Sequence, residues 1–219
     1  MVFWGLVLGL AGLALLPTLW TSIDISSARL FVEHPFWKNA NSWFWVELIN
    51  DYTPGLLRGS IFASFCGWGV ITYKKWSAHW RLPLIFFAIA GTLGPGAVVN
   101  FGFKDNWQRA RPYHVHEFGG DKQFTRAGVM TDQCDANCSF VSGHVACGFF
   151  LASLMLVHQR RKYVWAGVGV AGGLVVGFAR MANSAHWLSD VLWAGPITLL
   201  CSWIVWKSLL WAYGPKTVA

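Results

Sequence analysis

The chain is expected to be an all-α, polytopic membrane protein. A bundle of six transmembrane helices, with an interfacial amphipathic helix and a polar outer loop, is predicted to form a single domain over residues 1–219. Three observations predict this. Fifty-five percent of the residues are apolar and 12% are charged, whereas about 25% are charged in a soluble domain. Fifteen Trp are present, many at the ends of apolar runs (Trp4, Trp20, Trp76, Trp80, Trp165, Trp187, Trp211), where amphipathic rings favour the membrane interface. The net charge of +7 is unevenly spread: Lys74, Lys75, Arg81, Arg160, Arg161, Lys162, Lys207 and Lys216 lie in or beside two short loops and a tail, and all ten acidic residues lie in the other segments. That asymmetry is the positive-inside pattern, so the basic balance reports topology and not nucleic-acid binding.

Val2 to Trp20 is an apolar run of about the 20 residues that cross a bilayer. It has no Lys or Arg at its start and no clear small-residue cleavage site after it, so it reads as a retained helix and not a signal peptide. Between Ile23 and Asn50, Phe36, Ala40, Trp43, Phe44 and Leu48 recur at helical spacing, which predicts a helix lying flat in the outer interface. The second span is expected from about Gly55 to Tyr73, with Arg58 near its outer end or snorkelling. The third runs over Leu82 to Phe101, where Gly91, Gly94, Pro95 and Gly96 offer a kink or close packing. The fourth is placed at Phe140 to Val157, the glycine-rich fifth at Val164 to Met181, and the sixth from near His186 or Asp190 to Trp211. Six crossings put both termini in the cytoplasm.

Of the five Cys, Cys66, Cys147 and Cys201 fall within apolar spans. Cys134 and Cys138 share a hydrophilic loop on the outer side, where a disulfide could persist and pin a small turn. Two free thiols remain open as a reading; a zinc site is weaker, because no second ligand pair accompanies them.

This topology brings the unusual polar residues to one surface. Lys104 and Arg111 follow span three, Ser142, Gly143 and His144 open span four, and Arg180, His186 and Asp190 join spans five and six. Three cations and two imidazoles facing one carboxylate suit a dianion, commonly phosphate; Lys supplies a point charge and Arg a planar fork. Backbone N–H groups at Ser142 and Gly143 would add donors at a helix start. His186, four residues before Asp190, fits a nucleophile oriented by a carboxylate, and His144 fits a proton donor. A transporter would instead place its ionisable groups along a path through the spans, but these crowd one surface. Arg109, Lys122 and Arg126 are read either as a widening of this basic funnel or as solvated loop charges, and His114 and His116 as loop residues more than as a metal pair.

The same residues form three blocks: Lys104-x6-Arg111-Pro112, Ser139-Phe-Val-Ser142-Gly143-His144 and Arg180-x5-His186-x3-Asp190. In order and spacing they resemble the signature of the type 2 phosphatidic acid phosphatase superfamily, which also includes the soluble vanadium haloperoxidases. The resemblance implies a six-helix membrane phosphatase without metal or other cofactor, working through a phosphohistidine. Lys104, Arg111 and Arg180 would bind phosphoryl oxygens with Ser142 and Gly143, His186 would attack, Asp190 would hold it, and His144 would protonate the leaving group. Val141 stands where the family usually has Pro and Ala179 where it has Ser, and the lost hydroxyl removes one donor to phosphate.

The wording Phe103-Lys104-Asp105-Asn106-Trp107, with Gln133 to Val141, is similar to bacterial lipid A 4′-phosphatases. Undecaprenyl pyrophosphate and phosphatidylglycerophosphate phosphatases share the catalytic blocks. The implied partner is a phosphorylated membrane lipid, with no obligate protein partner. The implied location is a bacterial inner membrane, with the site facing the periplasm.

Overall fold

A computed structural model describes residues 1–76 and 78–213. Among the described residues there is no strand beyond one isolated bridge between Val115 and Lys122. The helices are α1 (Val2–Leu19), α2 (Thr21–Val32), α3 (Phe44–Tyr73), α4 (Ala78–Gly91), the one-turn α5 (Asp105–Trp107), α6 (Gly143–Phe150), α7 (Lys162–Ala182) and α8 (Leu188–Tyr213). Four helical stretches are long and apolar enough to cross a membrane: Val2–Leu19, Ala78–Lys104, Gln159–Ala182 and Leu188–Tyr213. The other two predicted spans take a different form. The second belongs to the 30-residue α3, which begins eleven residues before Gly55 and carries Pro54 inside. The fourth is shorter, the apolar stretch Gly143–Met155, in which α6 tightens into a 3₁₀ turn.

The predicted helix flat in the interface is replaced by two other structures. After Trp20 the chain turns directly into α2, which buries Asp24, Ala28 and Phe31 against the bundle. Phe36 to Trp43 then form turns and a short 3₁₀ helix at Ala40–Ser42 before α3 begins. Within this stretch Trp37, Trp43 and Trp45 pack around Phe178 near the end of α7, while Phe36 and Phe44 stay exposed. Offset and edge-on aromatic contacts of this kind add to the gain from buried area. They fasten the start of α3 to the end of α7.

Glycine sets the closest helix contact. A Cβ on Gly169 would lie 2.2 Å from the backbone nitrogen of Ala152, and one on Gly148 would lie 2.6 Å from the carbonyl oxygen of Gly172. The backbones of the α6 stretch and α7 therefore touch directly, as small residues allow. The kink expected in span three is a widening: Thr92–Lys104 forms a π-helical continuation of α4. Pro95 has no N–H to give to an i−4 carbonyl, and Asn100 Nδ2 donates to the carbonyls of Pro95 and Gly96, at 3.0 and 2.9 Å.

The tryptophans divide between roles. Trp4, Trp20, Trp76, Trp80 and Trp211 are exposed, as interfacial anchors would be. Trp187 is instead fully buried and belongs to the site. The basic tail residue Lys216 lies outside the described residues. Gly169→Ala should overpack the α6–α7 contact and lower stability by about 1–3 kcal/mol, seen as a lower Tm in detergent, while Gly167→Ala, with open space around its Cβ position, should leave Tm nearly unchanged.

Candidate active site

The helix ends carry the polar residues to one layer. Lys104 ends the π-helical stretch, Ser142 is the N-cap of α6 and Gly143 its first residue, Arg180 lies in the last turn of α7, and Asp190 in the first turn of α8. All eight residues singled out in the sequence gather here, and each pair is tied by a third residue.

Asn137 ties the first pair. Lys104 Nζ donates to its Oδ1 at 3.1 Å, and Arg111 donates to its main-chain oxygen from Nε and Nη2 at 3.1 and 2.6 Å. Asn50, from α3, ties the second. Arg180 Nη1 donates to Asn50 Oδ1 at 2.9 Å, Asn50 Nδ2 donates to Ala179 O at 3.3 Å, and His144 Nε2 lies 3.1 Å from Asn50 O. Ser139 ties the third. Its hydroxyl donates to Asp190 Oδ2, and its main-chain oxygen lies 2.8 Å from His186 Nδ1. The charges of Arg180 and Lys104 reach both imidazoles.

A carbonyl oxygen only accepts, so the two carbonyl contacts decide the ring protons. His186 Nδ1–H donates to Ser139 O, which leaves the lone pair on Nε2. Asp190 Oδ2 is 3.7 Å from His186 Nδ1, farther than the Ser139 carbonyl. The carboxylate therefore orients the imidazole mainly through Ser139 and by its field. His144 Nε2–H likewise donates to Asn50 O, so Nδ1 is its other titrating nitrogen.

His186 is 1% exposed, and burial pushes its pKa down to about 3 against the upward pull of Asp190. The ring is neutral at pH 7. Among the described residues, three buried polar atoms in this layer have no hydrogen-bond partner: Ser142 Oγ, Arg180 Nε and His186 Nε2. A hydroxyl, a guanidinium N–H and an imidazole lone pair are one set of groups that a phosphoryl group would satisfy, since orphaned buried polar atoms are costly. The N-terminus of α6 adds its unpaired amides and the positive end of its dipole. Among the described residues no three His, Cys, Asp or Glu side chains group as metal ligands do.

Beneath this layer lies a network that the sequence reading missed. Arg109 is neither a funnel residue nor solvated; it is 0% exposed. Its Nη1 meets Asp190 Oδ1 at 2.5 Å and Ser189 Oγ at 2.8 Å, its Nη2 meets Asp24 Oδ2 at 2.9 Å, and its Nε donates to Thr125 O at 2.8 Å. Phe124 and Trp187 stack against the guanidinium at 5.5 and 5.4 Å. Asp24 also accepts from the Ser189 N–H at 2.8 Å. Burial raises the Asp24 pKa, and Arg109 opposes that rise. One signal was available: Asp24 is the first acidic residue in a chain whose opening 23 residues are uncharged. Asn50 gave no comparable signal.

Residues 82–213 match the PAP2 superfamily. The chain belongs to the PAP2 superfamily. The match contains all three sequence blocks, whereas Asp24 and Asn50 lie before it. The chain is similar to the lipid A 4′-phosphatase of Francisella tularensis subsp. novicida (strain U112), at 38% identity over 140 residues, or 63% of each chain. It is also similar to that of Rhizobium leguminosarum, at 37% identity over 55% of this chain and 51% of that protein, and to that of Rhizobium etli (strain ATCC 51251 / DSM 11541 / JCM 21823 / NBRC 15573 / CFN 42), at 34% identity over 54% and 45%. The matched stretch thus spans about half to two thirds of these relatives. No solved structure matches the chain.

Beside His144 a cleft of about 820 Å³ runs between α3 and the α4 stretch, lined by Leu57, Ile61, Phe62 and Phe65 on one side and Ile89, Leu93 and Lys104 on the other. Arg58 also lines it.

Asp24→Ala would leave Arg109 buried with one carboxylate in place of two. Loss of one partner of such a pair costs about 3–5 kcal/mol, and the expected outcome is a marked fall in Tm of the detergent-solubilised protein. A second expectation concerns pH. The imidazole of His186 binds its proton more weakly folded than unfolded, so the folded state loses stability as pH falls through about 6.5 toward 3. From pH 8 down to pH 5 the loss is about 2 kcal/mol. The stability of His186→Gln, measured alongside, should lack that component.

Proposed function

We propose that this protein is an integral membrane phosphatase that removes phosphate from an anionic lipid, with a lipid A-like glycolipid phosphate as the leading substrate. The observation that carries the reading is the set of three buried atoms without a hydrogen-bond partner among the described residues: Ser142 Oγ at the start of α6, and Arg180 Nε and His186 Nε2 at the α7–α8 junction. The names of the relatives support the choice of lipid. The apolar cleft beside His144 offers acyl chains a place next to the cradle.

In this reading Lys104, Arg111 and Arg180 hold the phosphoryl oxygens, assisted by Ser142 and the amide of Gly143. His186 Nε2 attacks phosphorus in line, forming an N–P bond as the P–O bond to the lipid breaks. The leaving oxygen takes a proton from Nδ1 of protonated His144, whose Nε2–H stays on Asn50 O. Water then attacks the phosphohistidine, giving its proton to the same Nδ1, and phosphate leaves. Such a reaction needs mainly positioning and charge stabilisation.

The topology proposed with it has six crossings, α3 and the α6 stretch completing the set, with both termini cytoplasmic and the site on the periplasmic side of a bacterial inner membrane. Its support is that Lys74, Lys75, Arg81, Arg160, Arg161, Lys162 and Lys207 occupy the helix ends remote from His144 and His186.

The test is phosphate release from a panel of lipid A, isoprenoid pyrophosphate and phosphatidylglycerophosphate by the purified full chain. Release should persist in EDTA, stop with vanadate, and fall at least about 10³-fold in His186→Ala. Dependence on added divalent metal, or unchanged turnover in His186→Ala, would refute the reading; turnover of an isoprenoid or glycerophosphate lipid alone would move the substrate.

A further inference from the structure

The long polar loop holds a device whose parts have no role in the reaction just described. Cys134 and Cys138 are joined by a disulfide with their Cα atoms 5.7 Å apart, closing a five-residue loop. The residue just inside its end, Asn137, has a left-handed backbone (φ 50°) that turns its main-chain oxygen and its side chain to the same pair of cations. The residue just outside, Ser139, is anchored by its N–H to Arg109 O at 2.9 Å, and its own oxygens hold His186 and Asp190.

We propose that this disulfide-closed loop is a positioning element for phosphate recognition, and that Asn137 is the positioning residue that sets Lys104 and Arg111. Two cations placed for one dianion repel each other before the anion arrives. Asn137 offsets that repulsion with two neutral oxygens, one for each cation. A carboxylate at this point would satisfy the same donors but would compete with phosphate for their charge; a carboxamide and a carbonyl orient the cations and leave the charge intact. The bonds from Arg111 use two of its five N–H donors. The disulfide limits the conformations open to Asn137, an exposed residue in an otherwise irregular loop. Oxidation of the pair is what a loop on the outer side of the membrane permits. This inference rests on the phosphatase reading for the identity of the anion, while its geometry stands apart from it.

The experiment measures binding of inorganic phosphate and of orthovanadate to the detergent-solubilised full chain, together with KM and kcat on the lipid. It compares the oxidised protein, the same protein after dithiothreitol, Cys134→Ser/Cys138→Ser, and Asn137→Gly. Glycine accepts the left-handed backbone and keeps the carbonyl for Arg111, so that variant removes only the side-chain bond between Asn137 and Lys104. Asn137→Gly is expected to raise phosphate Kd and KM by about five- to twentyfold with kcat changed less than about threefold, and without a shift in Tm. Reduction should raise the same two constants, and its effect should overlap with that of Asn137→Gly instead of adding to it. Should the double serine variant fail to fold, reduction of the folded wild type and Asn137→Gly decide the matter. Unchanged Kd and KM in both, or a loss confined to kcat or Tm, would overturn the proposal while wild-type phosphate release still stood. Phosphate binding without turnover of any lipid would remove the phosphatase reading, and the Kd comparison alone would then judge the loop.

Discussion

A guanidinium buried to zero exposure organises the polar end of this bundle. Arg109 meets Asp24 from α2 and Asp190 from α8, residues 85 and 81 positions away in the chain. Removing a full charge from water costs several kcal/mol, and close partners with good geometry must offset that cost. Only one arrangement of α2, α8 and the polar loop supplies them. The network is therefore better understood as a constraint on which helices meet than as a source of net stability. Because Asp190 and Ser139 share a hydrogen bond, the same constraint reaches the ring of His186.

Above that network the site follows a consistent rule. Lys104 and Arg111 are held by Asn137, Arg180 and His144 by Asn50, and His186 by the Ser139 carbonyl. Each of the five has a neutral oxygen among its partners. Cations held this way keep their charge for an incoming dianion, and the imidazoles have fixed tautomers. Electrostatic preorganisation of this kind requires no rearrangement at the moment of reaction. Two carboxylates, Asp24 and Asp190, are gathered around Arg109.

Packing places the two layers. The direct backbone contact of the α6 stretch with α7 puts Ser142 to His144 beside Arg180, and the aromatic cluster around Phe178 draws the start of α3, with Asn50, to the same point. The π-helical end of α4 delivers Lys104 from the opposite side and leaves an apolar cleft along α3. The polar layer and an apolar cleft thus adjoin each other because one helix widens where proline removes an N–H.

Much of this was legible in the residues themselves. Composition and charge placement determine an all-α membrane protein, because hydrocarbon admits only helices or closed barrels and basic loops stay on one side. The three blocks determine which side chains meet, since each sits where an apolar run begins or ends. Other features depended on contacts between segments distant in sequence. The sequence reading does not mark Asp24 and takes Arg109 as a funnel or loop charge and Trp187 as a surface anchor, yet the fold buries all three together. Asn50 and Asn137 carry no charge and follow no periodicity, so nothing local marks them. Their role arises only when Arg180, His144, Lys104 and Arg111 come within hydrogen-bond distance, and a bond between residues 130 positions apart, as from Arg180 to Asn50, is a property of the tertiary structure alone.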